Sequence, residues 1–435
     1  MKLYLTKTIQ VPKDMTAVTR IGSNEVAPEQ AGMTQSQVQR IWGAMEKLYL
    51  TGNHPMLSIC LRKHGQIVLN RSMGHARGNS PTDSPQTPKV IATPDTPLCL
   101  FSASKTFTAV LVHILNERGL IDLLDPVSYY IPEYAAQGKQ DTTILHLLTH
   151  RGGIPHLVNE TDHELLFDHQ AVIKKICAAE AVAPSGHRLA YHAITAGYIL
   201  GELIERVTGQ TVKTFLQENI SIPMDLPYLD YGLAEEYRPL VAHSSITGLN
   251  PALGSDVFFK RMLGGDLQMI VDVTNDTRFM DAICPAGNIY TTAEQSGRFF
   301  EMLLNGGSYN GKKILDAKTV RRATIENSRA TFDRTLGVPM RYSAGFQLGG
   351  SPLGLYGPAT RHAFGHLGLS NNFCWADPER DISVSILSSG KSIVGSHLPA
   401  LVALLCQISS NCNPVMSTER RAVFRAHSVD QFAMS

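Results

Sequence analysis

The hydrophobic period changes twice along the chain, and no other feature restricts the fold as strongly. Met56 to Leu61 and Gln66 to Leu69 are short apolar runs on either side of the turn Lys63-His64-Gly65, the pattern of a strand pair. From Phe107 the spacing becomes helical: Phe107, Val110, Leu111, Ile114 and Leu115 share one face, and Gly119 supplies a stop. A second face of this kind, Ala196, Ile199, Leu200, Leu203, Ile204 and Val207, runs to Gly209. After residue 340 the strand pattern returns. His366 to Gly368 sits in one short segment, Phe373 to Ala376 forms the next, and Asp377-Pro378-Glu379-Arg380 turns the chain. Ile382, Val384 and Ile386 then alternate with Ser383 and Ser385, which predicts a half-buried strand. A last apolar-faced helix covers Pro399 to Ile408.

Strands at both ends with helices between them predict one sheet completed by both chain ends and interrupted by a helical insertion. That is an α+β layout with an antiparallel sheet, not a series of βαβ units. The expected parts are an irregular lead-in (1–35), a discontinuous sheet domain (36–135 and 300–410), a mostly helical domain (136–299) and a loosely held tail (411–435). Residues 225–284 carry the weakest pattern and are expected to line a pocket between the two domains.

Charge removes several function classes. The 39 Lys and Arg against 38 Asp and Glu leave a net charge of +1 with no basic block, so there is no footprint for nucleic acid. No apolar run approaches the ~20 residues of a membrane span, and Met1 to Arg20 holds no continuous apolar segment of the kind that directs secretion. The reading is a cytoplasmic chain, although a mature secreted form would look the same. Seven scattered cysteines form no C-x-x-C pair. His146 and His150 are spaced i,i+4 but lack the glutamate of H-E-x-x-H, so neither metal nor organic cofactor is expected. G-x-S-x-G, the serine turn of α/β-hydrolases, does not occur.

The best candidate for chemistry is Ser102-Ala103-Ser104-Lys105 at the start of the first helix. Three residues on, almost one turn, the lysine lies on the serine's face and reaches its hydroxyl. Burial of such a lysine lowers its affinity for a proton and makes it a base. Ser388-Ser389-Gly390-Lys391 repeats the spacing, but it follows a strand with no helix behind it and reads as a polar turn.

The stretch from Phe101 to Asp125, FSASKTFTAVLVHILNERGLIDLLD, resembles the serine β-lactamase and penicillin-binding-protein superfamily, closest to class C β-lactamases and family VIII carboxylesterases. Four further blocks agree in order: LHLLTHRGGIP (145–155), YHAITAGYILGELIERVTG (191–209), PAGNIYTTAEQSGRFFEMLLNGG (285–307) and FGHLGLSNNFCWADP (364–378). The resemblance implies Ser102 as acylated nucleophile, Lys105 as its partner, and Tyr191 as a phenol of depressed pKa that moves the proton. It also implies an oxyanion hole from the amides of Ser102 and Leu369, with His366 and Gly368 in the place of the lactamase Lys-Thr-Gly.

Two departures weaken a lactamase. Tyr191-His192-Ala193 stands where class C enzymes have Y-x-N, and the third motif lacks its lysine, the cation that pairs with a β-lactam carboxylate. The expectation is a serine hydrolase acting on small-molecule esters without cofactor. β-Lactamase, D-amino-acid peptidase, acyltransferase and an inactive binding protein are the alternatives.

Overall fold

Alternation along the central strands determines the layering. The computed structural model describes residues 5–157 and 163–415. Its main sheet comprises β1 (Thr19–Ile21), β2 (Met56–Lys63), β3 (Gln66–Arg77), β4 (Val90–Ile91), β5 (Gln347–Leu348), β6 (Phe364–Gly368), β7 (Asn372–Asp377) and β8 (Ile382–Ser388). The order is β5-β6-β7-β8-β2-β3-β1, with β4 attached to β3, and every pairing is antiparallel. β8 joins the late strands to the early ones, with Val384 opposite Leu61 and Ser385 opposite Cys60. The α+β class expected from the sequence is the observed one.

The principal helices are α1 (Gln35–Leu50), α2 (Lys105–Glu117), α3 (Thr195–Thr208), α4 (Ser255–Leu263), α5 (Leu267–Asn275), α6 (Ala293–Leu304) and α7 (His397–Asn411). α1 starts in a capping box: Thr34 accepts from the Gln37 amide, and Gln37 accepts from the Thr34 amide. Leu57, Ile59 and Leu61 of β2 and Ile382, Val384 and Ile386 of β8 form one core with α1 and α7.

The other face corrects the half-buried expectation, because β8 is buried along its whole length. Ser383 and Ser385 point at α6 rather than at water. Ser383 Oγ donates to Gly297 O at 2.9 Å, and Ser385 Oγ donates to Ser296 Oγ at 3.0 Å. Small side chains bring the helix close, and each hydroxyl finds a partner in it. Arg62, on the same face of β2, is paired with Glu294 and Glu301 of α6.

Parts of the expected lead-in and the first residues of the expected tail are packed on the sheet domain. Thr19–Ile21 of the supposed lead-in is an edge strand, with Arg20 opposite Ser72. The expected tail is seated at its start, where Cys412 is buried and the Val415 amide donates to Glu379 O at 2.8 Å. Residues 416–435 lie outside the described residues. No helix among the described residues is long and apolar enough to cross a membrane.

A small sheet sets the entrance to α2. Ile289–Thr291 pairs with both Leu98–Cys99 and Asp230–Tyr231. The Leu100 amide donates to Ile289 O at 2.8 Å, and the Ile289 amide donates to Ser104 Oγ at 3.0 Å. The segment before the first serine motif is thereby fixed to the segment that follows Cys284.

Candidate active site

Ser102 lies in a single 3-10 turn, Phe101–Ser104, that continues directly into α2. Phe101 has φ +51°, in the left-handed region, a conformation that costs roughly 1–3 kcal/mol in a non-glycine residue and persists where its surroundings dictate it. The bonds to Ile289 on either side of the turn provide that restraint. One helical turn on, Lys105 Nζ donates to Ser102 Oγ at 3.2 Å and to Ala286 O at 2.8 Å. Burial pushes the Lys105 ammonium down to about 7, so a neutral amine is accessible near neutrality. The Ala286 carbonyl is itself pinned. A Cβ on Gly197 of α3 would lie 2.6 Å from Ala286 N and Cα, so that glycine permits the close packing that fixes the loop.

Tyr191 stands across the lysine, its ring centroid 5.2 Å from Lys105 Nζ. Its amide donates to Asp333 Oδ1 at 3.0 Å. The buried Asp333 also accepts from the amides of Thr335 and Leu336 at 2.9 and 3.0 Å, and from the Tyr342 hydroxyl at 3.2 Å. The depressed phenol pKa implied by the resemblance is not found. Burial pushes Tyr191 up; Ser102 acts in the lowering direction and the Asp333 charge raises it further. Among the described residues the hydroxyl makes no hydrogen bond of full geometry, and Ser102 is the hydroxyl that acts on it. A lysine that titrates near 7 does not supply the permanent cation that would acidify the phenol.

Three buried histidines surround this tyrosine. His150 and His366 lie 4.6 and 6.0 Å from its ring, and His192 lies 5.9 Å from His150. His192 Nδ1 bonds Ala190 O at 2.7 Å while its Nε2 accepts from the Ile154 amide at 3.2 Å, which fixes the neutral tautomer. Burial lowers all three: His192 to about 4, His366 to about 3, and His150 well below its ordinary value. His366 is therefore an uncharged ring, with Nδ1 on Leu367 O at 2.7 Å and, among the described residues, no partner for Nε2.

A Cβ on Gly368 would meet Leu100 O at 2.1 Å, so this glycine lets its strand pack against the backbone segment that leads to Ser102. Leu369 and Ser102 line one cavity. Neither His366 nor Gly368 reaches its wall.

Ser388 and Lys391 do not form the solvated turn their sequence suggests. Lys391 is fully buried, donates to Ser388 O at 2.7 Å and lies 4.5 Å from the Phe101 ring centroid. His146 and His150 do not converge as ligands: His146 Nδ1 accepts from the Thr143 amide and His150 Nδ1 from the His192 amide, both at 3.2 Å. A closer group, His169, Glu202 and Glu205, is internally compensated, with Glu202 bonded to His169 at 2.8 Å and to Arg206 at 2.7 Å.

Sequence reasoning missed Asp333 and the Ala286 carbonyl. Only Asp333 leaves a local trace, since Asp333-Arg334-Thr335-Leu336 is a turn in which aspartate accepts from following amides.

The family model for Beta-lactamase matches residues 34–405, and the chain belongs to that family, which includes serine hydrolases, esterases and β-lactamases. Among curated relatives, an esterase/beta-lactamase, LipL, of Mycobacterium tuberculosis is 31% identical over 66% of this chain and 68% of its own. A penicillin-binding protein homolog from Caulobacter crescentus superposes with TM-score 0.73 at 26% identity, covering 87% of this chain and 99% of the homolog. A family VIII carboxylesterase superposes with TM-score 0.72 at 25% identity, covering 88% and 99%.

Proposed function

We propose that the chain hydrolyses carboxylic esters of small neutral molecules through an acyl-enzyme on Ser102. The observation that carries this reading is the buried Lys105 amine 3.2 Å from Ser102 Oγ. Neutral Lys105 takes the hydroxyl proton as Oγ attacks the carbonyl carbon. The amides of Ser102 and Leu369 hold the oxyanion. Tyr191, protonated at rest, gives its proton to the departing alkoxide and recovers one from Lys105. Water then attacks the acyl-enzyme, losing its proton to the same pair, and the acid leaves with Ser102 restored.

The preference for neutral esters rests on charge. His366 is neutral where a lactamase has lysine, and among the described residues no charged side chain lines the cavity at Ser102. A β-lactam or D-alanyl peptide would bring a carboxylate without a partner, a loss of roughly 1.5–3 kcal/mol per charge-assisted bond. The convergence of Lys105 Nζ on Ser102 Oγ, with the Tyr191 ring beside the same ammonium, favours an enzyme over an inactive binding protein.

The test is rapid mixing of wild type and Ser102→Ala with p-nitrophenyl acetate and with a chromogenic cephalosporin. The expected result is ester turnover that Ser102→Ala abolishes, with lactam turnover lower by on the order of 10- to 100-fold. A lactam rate equal to or above the ester rate would contradict the proposal.

A further inference from the structure

We propose that the preferred esters carry an unbranched apolar acyl chain that runs from Ser102 beneath α4 and α5, with Met262, Met269 and Val273 setting its accepted length. The proposal rests on the Ser102 esterase reading and specifies its substrate.

A cavity of about 100 Å³ opens at Ser102. Its far wall comes from the region with the weakest sequence pattern: Met262 and Leu263 of α4, Met269, Ile270 and Val273 of α5, and Phe279. A second cavity of about 60 Å³ lies behind it and shares Leu166, Ile194, Met262, Leu263 and Met269, then continues to Val172 and Ile176. The five shared residues are all apolar, so the partition between the two cavities is an apolar one that includes two methionines, with His156 and Thr195 the polar side chains of the rear cavity. Gly265 makes room for this arrangement: a Cβ there would coincide with the Met269 methyl, at 1.6 Å. The Asp266 cap on the Met269 amide, at 2.9 Å, starts α5 immediately afterwards. Methionine side chains fill irregular space and shift readily, which suits a wall that parts around a chain.

The direction of the route identifies which half of the ester occupies it. Tyr191, assigned to the leaving oxygen, lines neither cavity, nor does His366. The alcohol departs on the tyrosine side, so the substituent pointing under α4 and α5 is the acyl group. Among the described residues neither cavity presents a side-chain carboxylate, lysine or arginine, and a charged acid is therefore unsuited to the route.

Each methylene transferred from water into such a route is worth about fourfold in kcat/KM. With p-nitrophenyl acetate, butyrate, hexanoate and octanoate, whose leaving group is constant, wild type is expected to favour hexanoate over acetate by on the order of 200-fold, the four added methylenes compounding at about fourfold each. Val273→Phe and Met269→Phe fill the route and are expected to lower that ratio at least about tenfold, with thermal melting used to confirm folding. Inhibition of wild type by methyl-, butyl- and hexylboronic acid, which form a tetrahedral adduct on the serine oxygen, is expected to tighten with chain length and does not depend on any variant. A flat or falling chain-length profile in both series would overturn the acyl route while leaving the esterase reading intact, provided acetate turnover still requires Ser102. No Ser102-dependent turnover of any ester, together with no boronate inhibition, would overturn both.

Discussion

Ser102-Ala103-Ser104-Lys105 and Ser388-Ser389-Gly390-Lys391 each place a lysine three residues after a serine, and burial pushes both ammonium groups down to about 7. The backbone separates them. In the first, the chain is entering α2, and the helical turn carries Nζ to 3.2 Å from its own serine oxygen. In the second, Ser388 ends β8, its hydroxyl is engaged by His54 Nδ1 at 2.7 Å, and Lys391 reaches only the Ser388 carbonyl. Burial prepares a base in both places, but among the described residues Lys105 meets its own serine hydroxyl whereas Lys391 meets the Ser388 carbonyl, and the Ser102 hydroxyl lines a cavity. A perturbed lysine alone is therefore weak evidence of catalysis.

The comparison breaks most readily at the serines. Ser102→Ala is expected to lower kcat/KM for p-nitrophenyl acetate by on the order of 10⁴-fold, whereas Ser388→Ala should change it by less than about threefold, as its hydroxyl meets no substrate. The lysines come next. Lys105→Met removes the base and should lower kcat by roughly 10²- to 10⁴-fold. Lys391→Met should stay within about tenfold, acting only through the packing of Phe101. Their pH profiles sharpen the distinction. Activity needs neutral Lys105, so wild-type kcat/KM should fall as pH drops through about 7, and Lys391→Met should keep that acid limb.

The smallest effect is on stability. A lysine whose folded pKa lies below its unfolded value binds fewer protons folded than unfolded between the two, so stability rises with pH across that window and is lowest below the folded value. Between about pH 7 and 9.5, Lys391→Met should flatten the denaturant-measured slope by about 1.4 kcal/mol per pH unit, the contribution of one proton. An unchanged slope would mean that Lys391 remains charged in its buried position.

The parts legible in sequence are those whose cause is local. The face of Phe107, Val110 and Leu111 continues behind Ser102 and Lys105, so helix, spacing and contact could be read together. β2, β3, β7 and β8 follow from their apolar runs and turns. Tyr191 was legible only through family resemblance, because nothing near it reveals Asp333, which meets its amide from 142 residues away. Ser383 and Ser385 carry the same period-2 signal whether water or α6 covers them. Lys391 reads as a surface residue because its cover comes from elsewhere: its amide donates to Ser245 O at 2.8 Å, and its ammonium lies on Phe101. α5 buries Leu267, Ile270, Val271 and Thr274 on one face and exposes Gln268 and Asp272 on the other, but that these residues meet a cavity at Ser102 is decided by long-range packing that no local pattern reveals.

The most direct test of the central claim is the site and pH dependence of labelling by a short-chain alkyl fluorophosphonate. In that reaction the serine oxygen bonds phosphorus, fluoride leaves, and the hydroxyl proton passes to the base. Peptide mapping should find one adduct, on Ser102, with a labelling rate that falls to half near pH 7 as Lys105 becomes protonated. An adduct on any other residue, or a rate independent of pH between about 5 and 9, would contradict the assignment of Lys105 as the base that activates Ser102.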